Sequence, residues 1–367
     1  MKERDNSIDI LRGLAIFSMI AANMAPYNYA EPHPGWFRIF GSIAAPMFVF
    51  LAGMMVSYTS TIKSHPLSYY LKRSFATLVV AAFIDAVIWD IFPFITYDVL
   101  YIIALGMPAI FFFNKLRLLP RIFILIFIFS ITPLLQYYLG YTESPSEVIL
   151  SDGDISNQLS QIAVWRQFLH EGWFPFFPWI GVALAGAMVG SYKLKTEKAA
   201  FNTQVFFAGL SMMLTGIALW YFFSPAVMSN DGYLATTKPE LFWHVLLTRD
   251  GYSELFYPPT LFFMLTYIGF IFILIPITDK LQHLIFLKWL PVFGRSSMLV
   301  YLLHTVFIAF FFSNEDLFEG GIGQHALIDF VLLFLAHATL ICIICFLIQK
   351  YKKGKQFPFA VNFILGG

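Results

Sequence analysis

Residues 7–24, SIDILRGLAIFSMIAANM, 25–36, APYNYAEPHPGW, and 37–58, FRIFGSIAAPMFVFLAGMMVSY, read as two apolar helices joined by a short loop rich in proline. About 20 apolar residues cross a bilayer, and both helical runs reach that length. An inert anchor would carry no polar side chains there. Yet Asp9 and Arg12 lie near the start of the first helix, Asn23 near its end and His33 in the loop. Ionisable groups in hydrocarbon are costly, so they are expected to face an interior cavity or one another.

The rest of the chain repeats the pattern. Its composition is 59% hydrophobic and 12% charged, against about 25% charged in a soluble domain. Apolar runs fall near 8–28, 37–58, 70–92, 96–114, 119–139, 174–192, 201–223, 257–278, 292–313 and 326–349. The sequence therefore predicts an all-α, polytopic integral membrane protein of about ten transmembrane helices, with residues 1–367 forming a single domain. With the N-terminus and the even-numbered connections on one side, 19 of the 23 Lys and Arg collect there, leaving Arg38, Arg166, Lys238 and Arg249 opposite. The positive-inside rule then puts both termini in the cytoplasm and the His33 loop outside, in a cell (inner) membrane.

Two long outer connections are expected, 140–173 and 224–256, carrying Trp165, Arg166, His170 and Glu171 in the first and Asp231, Glu240, Trp243, His244 and Arg249 in the second. The N-terminal MKERDNSIDILRG mixes acids with bases and places Arg12 where a signal peptide would turn apolar, so residues 8–28 read as a retained helix. Cys342 and Cys345, three apart in one apolar run, read as buried helix residues. Global charge gives no hint of nucleic acid, and no His/Cys/Glu spacing demands a metal.

Arg12 and Asn23 are eleven residues apart, three helical turns, so they share one face about 16 Å apart along the axis. Arg12 is also three residues from Asp9, and a structural ion pair accounts for it equally well. Pro32 and Pro34 restrain the backbone at His33, and the loop is short enough to return His33 toward Asn23. An amide that fixes or polarises an imidazole makes an acid/base pair, and a positioned base contributes about 10²–10⁴ in rate. In PVFGRSSMLVYLLHTVF, residues 291–307, Ser297, Tyr301 and His304 fall on one helical face. A helix–helix hydrogen bond is the ordinary role for such a histidine. A contact to a ligand's thioester or pantetheine arm is the functional one.

Taken together, Ser7-Ile8-Asp9-x-x-Arg12-Gly13-Leu14 leading to Met19 and Asn23, His33-x-x-Trp36, and Pro46-Met47-Phe48-Val49-Phe50 with Gly53 resemble the catalytic domain of the heparan-alpha-glucosaminide N-acetyltransferase family, in a bacterial-type member. PWIGVALAGAMVGSY, 178–192, and GRSSMLVYLLH, 294–304, add thinner support, and YLLHT is also similar to bacterial membrane O-acyltransferases. The resemblance implies a transmembrane acyl-CoA-dependent acetyltransferase that moves acetyl from cytosolic acetyl-CoA to an amine or hydroxyl of an extracytoplasmic sugar or glycan. It implies catalytic roles for His33 and Asn23. Arg12, Arg73 and Arg295 become candidates for the nucleotide phosphates, and His304 and Ser297 for the cofactor channel. The bilayer and the glycan acceptor are the expected partners, with a homodimer as a candidate assembly. The competing expectation is a secondary transporter or permease for a sugar or small organic solute.

Overall fold

A computed structural model of the chain describes residues 5–30, 33–139, 145–222, 228–229, 232–233, 259–312 and 325–366. The second long outer connection, with Asp231, Glu240, Trp243, His244 and Arg249, lies outside these residues apart from two short strands, Met228–Ser229 and Gly232–Tyr233, as does Pro32. Otherwise the described chain is almost wholly helical.

The helices are α1 Asn6–Asn28, α2 Gly35–Gly41, α3 Ala44–Ile62, α4 Leu67–Phe83, α5 Val99–Phe113 and α6 Leu118–Leu139. They continue with α7 Ile155–Ser160, α8 Val164–Arg166, α9 Phe176–Lys195, α10 Lys198–Phe222 and α11 Leu261–Leu281. The last are α12 Leu290–Arg295, α13 Ser297–Phe307, α14 Leu327–Lys352 and α15 Phe359–Ile364. Every run read as a span coincides with one or more of these. By length and hydropathy, 6 of the described stretches are able to cross a membrane, or up to 8 if each of two bent pairs is one span. Two expected spans are too short as single helices: α4 has 17 residues and α5 has 15, and a π-helical turn, Ile84–Ile88, follows α4.

The expected ninth span departs most from its sequence reading. It is a broken helix whose halves bend by 85°. Ser296, at φ −113° and ψ 29°, interrupts the helical backbone between α12 and α13. A break in an apolar setting leaves carbonyls that must find donors. Gln349 of α14 supplies one, its Nε2 donating to the Val292 carbonyl at 2.7 Å and to Ser296 Oγ at 2.8 Å.

The described chain forms two compact units. The first is built from the described parts of Met1–Phe48 and Ile273–Gly367, the second from those of Val49–Phe242 and Phe256–Phe272. At the centre of the first, α1 crosses α12 through two glycines. A Cβ on Gly13 would collide with the Leu290 carbonyl, and one on Gly294 with the Asp9 carbonyl. The missing side chains let the two backbones touch, and the flanking polar residues are thereby brought together.

In the second unit the tail of α3 meets α9 in the same manner, through Gly53 and Gly186. Ser57 and Ser191 share a buried hydrogen bond of 2.8 Å beside that crossing. Tyr101 of α5 donates to the buried Asp85 carboxyl at 2.5 Å and ties α5 to the π-helical turn.

Candidate functional site

Six of the seven sequence-selected residues fall in the first unit, on α1, α12, α13 and the loop after α1. Helix α1 begins with Asp5 as its cap, whose carboxylate accepts from the Ser7 backbone N–H at 3.1 Å. It then runs unbroken past both Arg12 and Asn23, so the stripe between them is one helical face.

Helix α13 meets that face at both ends. Arg12 Nη2 donates to Ser297 Oγ at 2.5 Å. Eleven residues further along α1, the Asn23 side-chain amide meets His304 Nε2 at 3.1 Å. The histidine's other nitrogen fixes the direction of that bond. Nδ1 lies 3.1 Å from the Val300 carbonyl, and a carbonyl only accepts, so Nδ1 carries the proton. Nε2 then offers a lone pair, and the Asn23 Nδ2–H donates to it. His304 has no exposed surface, whereas Asn23 is half-buried, so one amide N–H is used inward while the group still faces accessible space.

The cationic end is organised by a carboxylate. Asp9 is 3% exposed and receives Arg295 Nε at 3.2 Å. Arg12 Nη1 lies 3.7 Å from the other Asp9 oxygen. Arg295 also donates to Asn6 Oδ1 at 3.2 Å. The ion pair between Asp9 and Arg12 read from their spacing is therefore present, and it is half of a three-residue cluster. Arg295 remains 43% exposed, so much of its guanidinium is open to solvent or ligand. Arg73 belongs to the second unit, on α4, with its guanidinium 5.8 Å from the Tyr69 ring centre.

His33 differs from its expectation. The sequence places it at the surface beside Asn23. In the structure it is buried, at 3% exposure, and folds back over the end of α1. Its ring stacks on Tyr29 at 5.0 Å and 11°, and Nε2–H donates to the Tyr29 carbonyl at 3.2 Å. Tyr29 lies just beyond α1, where its carbonyl has no helical partner. That carbonyl four residues away satisfies the imidazole, while Asn23 turns to His304. Phe37 meets the His33 ring edge-on at 5.8 Å, and Phe330 stacks on the far side of Tyr29 at 5.0 Å.

The arrangement thus has an oriented imidazole, a separately anchored amide, and a cationic cluster about 16 Å away along α1. Against known families, residues 4–218 match the model described as heparan-alpha-glucosaminide N-acetyltransferase, catalytic. The chain belongs to this family. No curated protein matches it. As a member of an acetyltransferase family with several helices able to cross a membrane, it is a multi-pass transmembrane acetyltransferase by class. The match contains Arg12, Asn23, His33 and Arg73, and ends before Arg295, Ser297 and His304.

Residues not chosen as site candidates from the sequence complete the picture. Asp9 is the hub of the cationic cluster, and its partner Arg295 is 286 residues away, beyond the reach of any spacing rule. Tyr29 is four residues before His33 but outside a helix, so periodicity does not pair them. Arg38, counted only as an outer-side charge, is 1% exposed.

Proposed function

We propose that this family member transfers an acetyl group from cytosolic acetyl-CoA to an amine or hydroxyl of a sugar on the extracytoplasmic side. In this reading both termini face the cytoplasm and the His33 loop faces outward. His33 takes the proton of the acceptor as its nitrogen or oxygen attacks the thioester carbonyl. A C–N or C–O bond forms, the C–S bond breaks, and CoA leaves as the thiolate, which takes up a proton.

Asn23 stabilises the oxyanion of the tetrahedral intermediate through its second amide hydrogen. His304 holds the first. Arg12 and Arg295 receive phosphate oxygens at the opposite end of α1, where guanidinium forks suit them. Ser297 sets the rotamer of Arg12. The observation that carries the reading is the polarity of α1: a guanidinium anchored at one end and an anchored amide near the other, about a pantetheine arm apart.

One observation favours a permease for a sugar or small organic solute as the second reading. Two bent helix pairs, Val164–Glu171 with Phe176–Lys195 and Ile285–Arg295 with Ser297–Phe311, resemble the discontinuous helices of transporters. Purified protein separates the two readings. With acetyl-CoA and glucosamine, the transferase releases CoA and forms acetylated sugar, and acetyl-CoA alone raises its thermal midpoint by mass action. A permease does neither.

A further inference from the structure

The end of α14 and the segment after it close around the break between α12 and α13. Gln349 of α14 donates to Ser296 Oγ at 2.8 Å. Lys352 lies one turn further on the same face of α14, and its Nζ donates to the Leu365 carbonyl at 3.4 Å. The next residue, Gly366, rests on the backbone of Arg295 and Ser296, where a Cβ would collide with the Arg295 carbonyl. Lys352 is thereby tied, through Leu365 and Gly366, to the segment that carries Arg295 and Ser297. Across these contacts and ordinary covalent distances, its ammonium is no more than about 10 Å from the Arg295 carbonyl.

The charges around this segment are unevenly matched. Asp9 is shared by Arg295, at 3.2 Å, and Arg12, at 3.7 Å. Asp5 is taken up as the cap of α1 by the Ser7 backbone N–H at 3.1 Å and the Ser7 hydroxyl at 2.5 Å. Lys352 is half-buried, and among the described residues its hydrogen-bond partner is a neutral carbonyl, with no carboxylate in reach. An ammonium has three donors, so two remain for another acceptor. Lys353 and Lys355, beyond α14, are exposed, and Lys355 Nζ lies over the Tyr351 ring at 3.4 Å.

We infer that Lys352 binds the 3′-phosphate on the ribose of CoA, and so selects CoA over donors that lack this group. The inference rests on the acetyl-CoA reading above, in which Arg12 and Arg295 take the diphosphate. CoA carries its phosphates in two places, a diphosphate next to the pantetheine arm and a monoester on the ribose. Planar guanidinium forks suit the first, and a compact ammonium suits the second as a point charge. A phosphate monoester carries close to two negative charges at neutral pH. It supplies the countercharge that Lys352 lacks.

The test uses full-length protein in nanodiscs of neutral lipid, saturating methyl β-glucosaminide as acceptor, and two donors, acetyl-CoA and acetyl-dephospho-CoA. In wild type the KM for acetyl-dephospho-CoA is expected to be at least about tenfold the higher of the two, at similar kcat. Lys352→Met, which keeps an unbranched stem, brings the ratio close to one by raising the KM for acetyl-CoA, and Lys352→Arg restores part of it. Turnover of acetyl-dephospho-CoA reports that each variant is folded. Lys355→Met keeps the wild-type ratio. A wild-type ratio near one overturns the inference. So does a ratio that survives in Lys352→Met, a KM rise shared equally by both donors included, since Lys352 then serves only to seat the segment after α14. Loss of the ratio in Lys355→Met as complete as in Lys352→Met also overturns it, because a diffuse basic surface then attracts the cofactor. If neither donor is used and acetyl-CoA does not stabilise the wild-type protein, the transfer reading fails and this inference falls with it.

Discussion

Asn23 and His304, 281 residues apart in sequence, are joined by a single hydrogen bond of 3.1 Å whose direction is set by the Val300 carbonyl on the far side of the imidazole. The amide is held by a buried neutral ring and not by His33. In the proposed chemistry this makes His304 a positioning residue that acts through Asn23.

His304→Ala leaves the amide without its anchor and removes a buried hydrogen bond costing about 1–3 kcal/mol. Acetyl transfer is expected to fall by about ten- to a hundredfold in kcat, with the KM for acetyl-CoA little changed. His304→Gln, which keeps an acceptor for the amide, recovers part of the loss. A kcat unchanged in His304→Ala would remove the residue from the mechanism.

Arg295 separates binding from chemistry. Arg295→Ala takes a cation from the buried Asp9 carboxylate, 3% exposed, so a lower thermal midpoint is expected beside the binding defect. A charge-assisted hydrogen bond to phosphate is worth about 1.5–3 kcal/mol, so the KM for acetyl-CoA rises about tenfold or more at nearly constant kcat. Steady-state kinetics with acetyl-CoA varied at saturating acceptor reads this directly.

The α1–α12 crossing is expected to be intolerant of a methyl group. Gly294→Ala drives a Cβ into the Asp9 backbone, and overpacking of this kind costs about 1–3 kcal/mol. Gly106→Ala, on α5, meets its nearest atom at 3.7 Å, an ordinary contact, and replaces a weak helix former by a strong one. Thermal unfolding in detergent should show a clear drop for the first and no loss for the second.

Gln349 is expected to matter for stability and not for catalysis. Gln349→Ala removes the donor to the Val292 carbonyl at the break between α12 and α13, at a cost of about 1–3 kcal/mol. The thermal midpoint falls while kcat per folded molecule is retained.

Helical periodicity and hydropathy carried most of the architecture, because a span is a local property of about 20 residues. Asp9 with Arg12 was legible for the same reason, at a spacing of three. The stripe from Arg12 to Asn23 was legible as a face, but not what covers it. Ser297 and His304 could each be selected on α13, yet their partners 285 and 281 residues away are set by a glycine crossing that no periodicity reveals. The break at Ser296 was hidden in an unbroken apolar run without proline at the bend, its carbonyl rescued by a glutamine from a distant helix. His33 was selected through its loop and its resemblance. Its burial against Tyr29 depends on ring stacking, which sequence spacing outside a helix does not encode.

In the proposed chemistry His33 takes the acceptor's proton during acetyl transfer. The most direct measurement is the transfer of labelled acetyl from acetyl-CoA to glucosaminide by purified His33→Gln, beside wild type, in nanodiscs, with acetyl-CoA-induced thermal stabilisation recorded for both. The variant is expected to be stabilised by acetyl-CoA as wild type is, yet to transfer at least about 10²-fold more slowly. Transfer by His33→Gln at the wild-type rate would contradict it.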